Sequence, residues 1–234
     1  MEPLYRDDDW LVLAKDPGVV TTPPSSRPGP TLVDIARSLL PDAAKVHPLS
    51  RVDAEVSGAV LFACSRRAMD LAAKRPPEKR YLALSQRAPA DDTFAWTWPI
   101  GVHPRRPTLR ACGADARAPQ RAETRGVVLA RSPEVSLLLL TPVTGRTHQL
   151  RVHAATAGMA LLGDTVYGGA ARVTRGDGGV VGLPRVMLHA WRVSLPGTRR
   201  WVDAPPHADL AAAWRALGGG SLDEALSAAS ARDR

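Results

Sequence analysis

The stretch from Thr124 to Thr141 limits the fold more than any other. Two apolar runs, Thr124 to Ala130 and Val135 to Thr141, flank Ser132-Pro133-Glu134. Runs of that length around a short polar turn predict an antiparallel hairpin, and the second run is apolar throughout. Further short apolar runs lie elsewhere. Trp10 to Ala14 closes at Asp16-Pro17-Gly18, Ala59 to Ala63 follows Gly58, Lys79 to Gln86 resumes after Arg75-Pro76-Pro77, and Met187 to Leu195 comes late. All four read as strands.

Helical signals alternate with these strands irregularly. Thr31 with Asp34 makes a capping box before Leu32, Ile35, Ala36, Leu39 and Leu40, and Pro41 stops the helix. Arg66 to Lys74 reads as a second helix. A third is expected from Thr147 to Ala157, capped by Thr147 and closed by Gly158, and Ser221 with Glu224 starts a last one whose end frays. Residues 21–30 are expected as a proline-rich loop, and the glycine-rich Arg172 to Arg185 as a mobile surface loop. Hairpins interspersed with helices predict an α+β fold with a central mixed, mainly antiparallel sheet. With 234 residues, 44% of them apolar, one core is expected: a catalytic domain over residues 1–215 and a C-terminal helical tail over 216–234.

Charge bounds the partners. Lys plus Arg number 31 against 23 Asp plus Glu, a formal charge of +8, which favours an anionic partner. The N-terminus is acidic where a signal peptide is basic, and no run approaches the length of a membrane span. Cys64 and Cys112 are too few for a disulfide framework and stand outside any metal-ligand spacing. A cytoplasmic protein without metal or membrane attachment is therefore expected.

Two charged segments sit beside core elements. Ser50-Arg51-Val52-Asp53-Ala54-Glu55-Val56-Ser57-Gly58 precedes a buried strand, and Thr144-Gly145-Arg146-Thr147-His148-Gln149-Leu150-Arg151-Val152-His153 opens a helix. A carboxylate next to a core strand needs water or a cation, and Arg151 is a candidate partner that would hold Asp53 ionised. Asp53 and Glu55, read as alternate residues of one strand, would stand about 7 Å apart on one face, with no sign of a sugar site. His148 and His153 lack the spacing and third ligand of a zinc site. Trp96 and Trp98, with Arg105 and Arg106 nearby, offer stacking to single-stranded RNA as one reading, but alternate tryptophans on a strand more often pack a core.

The two segments resemble signatures of the pseudouridine synthases that isomerise uridine in structured RNA, in the branch acting on ribosomal and transfer RNA. The first matches H-R-L-D-x-x-T-S-G. The second matches T-G-R-T-H-Q-[IL]-R-x-H and is followed by G-D-x-x-Y-G at Gly163-Asp164-Thr165-Val166-Tyr167-Gly168. Fainter echoes lie at Leu4 to Trp10, Lys15 to Gly18, Lys79 to Leu84 and Leu188-His189-Ala190. Ser50, Val52 and Val56 depart from the family's histidine, leucine and threonine. Because the resemblance begins at the first few residues, a catalytic domain without the small basic module that often precedes it is expected.

The resemblance implies roles. Asp53 is the catalytic carboxylate, attacking C1′ or deprotonating C2′. Tyr81 stacks on the uracil or takes part in proton transfer at the sugar or C5, and Arg151 pairs with the aspartate. Arg51 enters the gap left by the flipped nucleotide, while Lys79, Arg146 and His148 bind RNA. No cofactor and no metal are implied, the partner is RNA (rRNA or tRNA), and a monomer is the default expectation. Selectivity falls to the catalytic domain and to arginine-rich loops around residues 104–110 and 172–185. The alternative is a catalytically silent RNA-binding protein on the same scaffold, acting in RNA folding or ribosome assembly.

Overall fold

The computed structural model describes residues 2–23, 29–41, 45–86 and 89–231. Along the chain run β1 (Pro3–Arg6), β2 (Trp10–Lys15), α1 (Leu32–Leu39), β3 (His47–Pro48), β4 (Ser57–Ala63), α2 (Arg66–Lys74) and β5 (Lys79–Ser85). There follow β6 (Thr93–Trp96), β7 (Ile100–Val102), β8 (Arg110–Cys112), β9 (Arg117–Gln120), β10 (Thr124–Arg131), β11 (Ser136–Pro142) and α3 (Gln149–Thr156). The chain ends with β12 (Arg172–Thr174), β13 (Val180–Gly182), β14 (Leu188–Ser194), β15 (Trp201–Asp203), α4 (Ala208–Ala216) and α5 (Leu222–Ala231). The pairing is mixed and mainly antiparallel, as an α+β reading requires. The middle of the expected loop at 21–30 and the last three residues of the expected fraying end lie outside the described residues.

The chain forms two compact units, one of residues 1–80 and 189–207, the other of residues 81–188 and 208–234. In the first, β1, β2, β4 and β14 lie side by side, with β3 beside β4 and β15 beside β14. All pair antiparallel except β4 with β14, which run parallel with Ser57 opposite His189. Alternate side chains leave a strand on opposite faces, so Trp10, Val12, Ala59 and Leu61 share a face. Ala68 and Ala72 of α2 cover that face together with Val193, Leu195 and Val202. Both early helices begin as their sequences dictate: Thr31 and Asp34 exchange the two bonds of a capping box, and the Ser65 hydroxyl accepts from the Ala68 N–H.

Gly58 shows why this sheet tolerates no side chain at one point. Its φ is +114°, and a Cβ there would stand 2.2 Å from the Ala190 carbonyl oxygen, well inside contact distance.

In the second unit β5, β11, β10 and β6 pair antiparallel in that order. Leu137 to Leu140 are all buried, which accounts for the unbroken apolar run of the predicted hairpin. A separate three-stranded sheet, β8-β7-β9, packs its Ile100 and Cys112 against Val152 of α3, with Ala122 and Tyr167 beside them.

Three local expectations are corrected. The third helix starts at Gln149 rather than Thr147, because His148 takes a left-handed conformation (φ 56°) as N-cap and makes no side-chain cap bond. Gly158 does close it, at φ +72°. Arg172 to Arg185 is a hairpin, β12 with β13, and Arg185 at its end is buried with its guanidinium on both oxygens of Asp209, 2.7 Å each. The residues around Asp53 and Glu55 form a turn, closed by the Val56 N–H on the Asp53 carbonyl at 3.0 Å, so their strand spacing does not apply. Helix α4 follows His207 rather than a Ser, Thr, Asp or Asn, and the sequence signals do not announce it.

Candidate active site

In the first unit, the Asp53 turn is clamped on both sides. Lys15, the last residue of β2, is 1% exposed. Its ammonium donates to the carbonyls of Asp16 at 3.0 Å, Val19 at 2.9 Å and Ala54 at 2.9 Å. A buried lysine needs such acceptors to stay charged. The Gly18 N–H adds a second bond to the Ala54 carbonyl at 2.7 Å. On the other flank the Thr21 hydroxyl donates to the Val52 carbonyl at 2.8 Å and accepts from the Val52 N–H at 3.2 Å. The backbone on either side of Asp53 is thereby held by residues 31 to 39 positions away from the groups they bond.

Just past the turn, buried Ser57 and His189 meet at 2.9 Å. His189 Nε2 lies 3.2 Å from the Ala204 carbonyl and must donate to it, so Nδ1 accepts from the serine hydroxyl. This pair joins β4 to β14 where the strands run parallel. Arg51, two residues before Asp53, is exposed. Lys79 belongs to the same unit, and burial pulls its ammonium pKa below the usual lysine value.

The second unit holds Tyr81, Arg146, His148 and Arg151. Tyr81 is buried in β5 opposite Leu140 of β11. Arg151, buried in α3, forms a fork-to-fork pair with Asp164, Nε to Oδ2 and Nη2 to Oδ1, both at 2.7 Å. Its guanidinium also lies over the Tyr167 ring, 5.1 Å from the centroid. The Tyr167 hydroxyl accepts the Arg110 N–H at 3.0 Å and lies within hydrogen-bond distance of His148 Nδ1, at 2.8 Å. The histidine and Arg151 are thus both fixed by Tyr167. Arg146 is directed elsewhere, its guanidinium bonding Gln120 Oε1 at 2.6 Å and the Arg121 carbonyl at 3.1 Å.

The rest of this signature is structural. Gln149 accepts from the Thr144 hydroxyl and the Arg146 N–H, and donates to the Glu123 carbonyl and Thr124 Oγ1. Thr124 then donates to His153 Nδ1 at 3.0 Å, and His153 Nε2 donates to the Trp98 carbonyl at 2.8 Å. Burial pushes the His153 pKa down, partly offset by the Trp98 carbonyl. Trp96 is buried as expected of core packing, while Trp98 is 39% exposed. Among the described residues, no three His, Cys, Asp or Glu side chains cluster as metal ligands would, and no helix is long and apolar enough to cross a membrane.

Sequence reasoning passed over Thr21 and the work of Lys15, Asp164 and Tyr167. A lone lysine ending an apolar strand before a D-P-G turn was a usable signal for the first clamp. Asp164 and Tyr167 were visible only as members of a motif.

Residues 9–156 match the family model described as RNA pseudouridylate synthase. This chain belongs to that family. The matched span includes Lys15, Asp53, Tyr81 and Arg151, with Asp164 and Tyr167 beyond its end. A ribosomal large subunit pseudouridine synthase D from Nitrosomonas europaea is 33% identical over 82% of this chain, and the chain spans 57% of that relative's length. A dual-specificity RNA pseudouridine synthase, RluA, from Pasteurella multocida is 31% identical, with 87% of this chain and 92% of that one covered. The solved structure of human RNA pseudouridylate synthase domain containing 1 superposes with a TM-score of 0.71 at 27% identity, covering 97% of this chain and 93% of that one. Family membership thus rests on sequence and fold alike.

Proposed function

We propose that this pseudouridine synthase domain converts uridine to pseudouridine at a defined site in structured rRNA or tRNA. The observation that carries the proposal is the Asp53 turn, clamped by Lys15 and Thr21 inside the family-matched segment. A catalytic carboxylate must meet its target at fixed geometry, and a turn tied down on both flanks supplies that.

The reaction is an isomerisation: the bond from N1 to C1′ breaks, one from C5 to C1′ forms, and the hydrogen lost from C5 is balanced by one gained at N1. A stacked base cannot rotate, so the nucleotide is flipped out at a cost of a few kcal/mol, and exposed Arg51 takes its place in the stack. Asp53 acts at the ribose, at C1′ or C2′. Tyr81 stacks on the uracil. Arg151, oriented by Asp164, is the cationic residue that the second signature brings to the reaction. Lys79, Arg146 and His148 contact RNA around the target, and a monomer in the cytoplasm suffices for all of this.

The test incubates the protein with ribosomal and transfer RNA lacking pseudouridine and maps carbodiimide-dependent reverse-transcription stops. A discrete stop made by the wild type supports the proposal. RNA bound without any stop favours the catalytically silent alternative.

A further inference from the structure

Two polar side chains lie buried just beyond the Asp53 turn, Ser57 and His189. An apolar pair of similar shape would fill the same space with no polar groups to desolvate. What a hydrogen-bonded pair adds is direction, since it fixes one placement of its partners against the others. Ser57 opens β4 four residues after Asp53, and His189 is the second residue of β14, directly opposite.

The backbone holds this end of β4 thinly. Strand β2 pairs with β4 from Gly58 to Ala63 and stops short of Ser57. On the other side, the parallel ladder to β14 pairs Ser57 with His189 and Gly58 with Ala190, and parallel pairing is the weaker kind. The bond between Ser57 Oγ and His189 Nδ1, at 2.9 Å, adds a link on the residue of β4 nearest to Asp53.

The histidine is itself held. Its Nε2 lies 3.2 Å from the carbonyl of Ala204, a fully buried residue whose N–H bonds back to the Trp191 carbonyl of β14 at 2.7 Å. A carbonyl only accepts, so Nε2 carries the proton and Nδ1 offers its lone pair to the Ser57 hydroxyl. Little slack remains between Ser57 and the carboxylate. The Val56 N–H closes the turn on the Asp53 carbonyl at 3.0 Å, and Ala54 is tied to Lys15 and Gly18. A displacement of Ser57 therefore passes through Val56 to Asp53.

We propose that His189 is a positioning residue for the reaction at Asp53: its Nδ1 lone pair fixes Ser57, and with it the exit of the turn that aims the carboxylate. Thr21 and Lys15 hold the entry and the middle of that turn, and His189 completes the set. A reacting group misplaced by 1 Å can lose about 100-fold in rate. The proposal deepens the uridine-isomerase reading and rests on it for the reaction.

The experiment separates the two ring nitrogens. His189→Asn puts a carbonyl oxygen where Nδ1 stands and keeps an acceptor for Ser57, whereas His189→Gln puts an amide where Nε2 stands and keeps the donor to Ala204. With unmodified ribosomal and transfer RNA transcripts, His189→Gln and Ser57→Ala should lower kcat by about 10- to 100-fold with KM within about twofold of the wild type. His189→Asn should recover most of that loss, and Ser57→Ala/His189→Gln should be no slower than either single variant. Should His189→Gln fail to fold, Ser57→Ala, which removes a single oxygen, carries the same comparison. Equal losses in the Asn and Gln variants, or a loss confined to KM, would overturn the proposal. Hydrogen exchange at the Val56 amide reads the turn without any chemistry, and it should be faster in His189→Gln and Ser57→Ala than in the wild type and His189→Asn. Unchanged exchange would overturn the positioning role. A wild type that shows this exchange pattern yet forms no pseudouridine would instead strike the isomerase reading.

Discussion

The Thr21 hydroxyl occupies both backbone polar groups of Val52, donating to its carbonyl at 2.8 Å and accepting from its N–H at 3.2 Å. One side chain therefore does for this residue what a neighbouring strand would do, at the position immediately before Asp53. Thr21→Val keeps the shape of the side chain and leaves the buried carbonyl and N–H of Val52 unsatisfied, at about 1–3 kcal/mol. We expect single-turnover isomerisation to fall by more than the affinity for RNA, with Thr21→Ser restoring it. Equal losses in rate and affinity would show that the hydroxyl only stabilises the fold.

The pair of Arg151 and Asp164 is the buried counterpart of that clamp. Asp164→Asn removes the carboxylate of the buried fork-to-fork pair, and breaking such a pair by changing one partner costs roughly 3–5 kcal/mol. Urea unfolding should show that loss. Replacing both residues, as Arg151→Leu/Asp164→Leu, should recover part of the stability and none of the activity. A double variant less stable than the single one would mean the pair does not carry the energy assigned to it.

Gly58 and Gly145 make a matched contrast. A Cβ at Gly58 would meet the Ala190 carbonyl at 2.2 Å in a backbone of φ +114°, whereas one at Gly145 meets nothing within 4 Å. Gly58→Ala should therefore destabilise by at least about 1–3 kcal/mol and Gly145→Ala by under about 0.5 kcal/mol. Comparable thermal midpoints for the two variants would contradict the close approach of β4 and β14.

His153 sets a pH dependence. Its pKa in the folded state lies below the ordinary value of 6.5 because it is buried. Between the two values the unfolded chain binds a proton and the folded one does not. Its contribution is therefore complete above pH about 6.5 and is lost as pH falls toward the folded pKa, with a limiting slope of about 1.4 kcal/mol per pH unit. Urea titrations between pH 8 and 5 should show this acid-side loss, and His153→Gln should flatten it. An unaltered profile in the variant would assign the acid sensitivity to another group.

Local signals in the sequence were strong wherever the chain obeys neighbour rules. Thr31 with Asp34, the run Arg66 to Lys74, and the apolar strands around Ser132-Pro133-Glu134 all form the elements their residues favour. The failures share a cause in tertiary contact. Thr147 looks like a cap, yet Gln149 takes over the loop before α3 with four hydrogen bonds, and His148 bends into a left-handed conformation beside Tyr167. The glycines of 172–185 read as a mobile loop because nothing in that stretch reveals that Arg185 meets Asp209. At the site, Asp53 and Arg151 were found through motif order, while the hydroxyl of Thr21 and the carboxylate of Asp164 acquire their roles only from residues distant in sequence.

The central claim is that Asp53 breaks and remakes the glycosidic bond of a uridine. Joining C5 to C1′ expels the hydrogen on C5, so RNA labelled with tritium at uridine C5 reports the reaction directly. The wild type should release tritium to water in proportion to the pseudouridine formed, and Asp53→Ala should bind the same RNA and release none. Release by the variant at the wild-type rate would contradict the account.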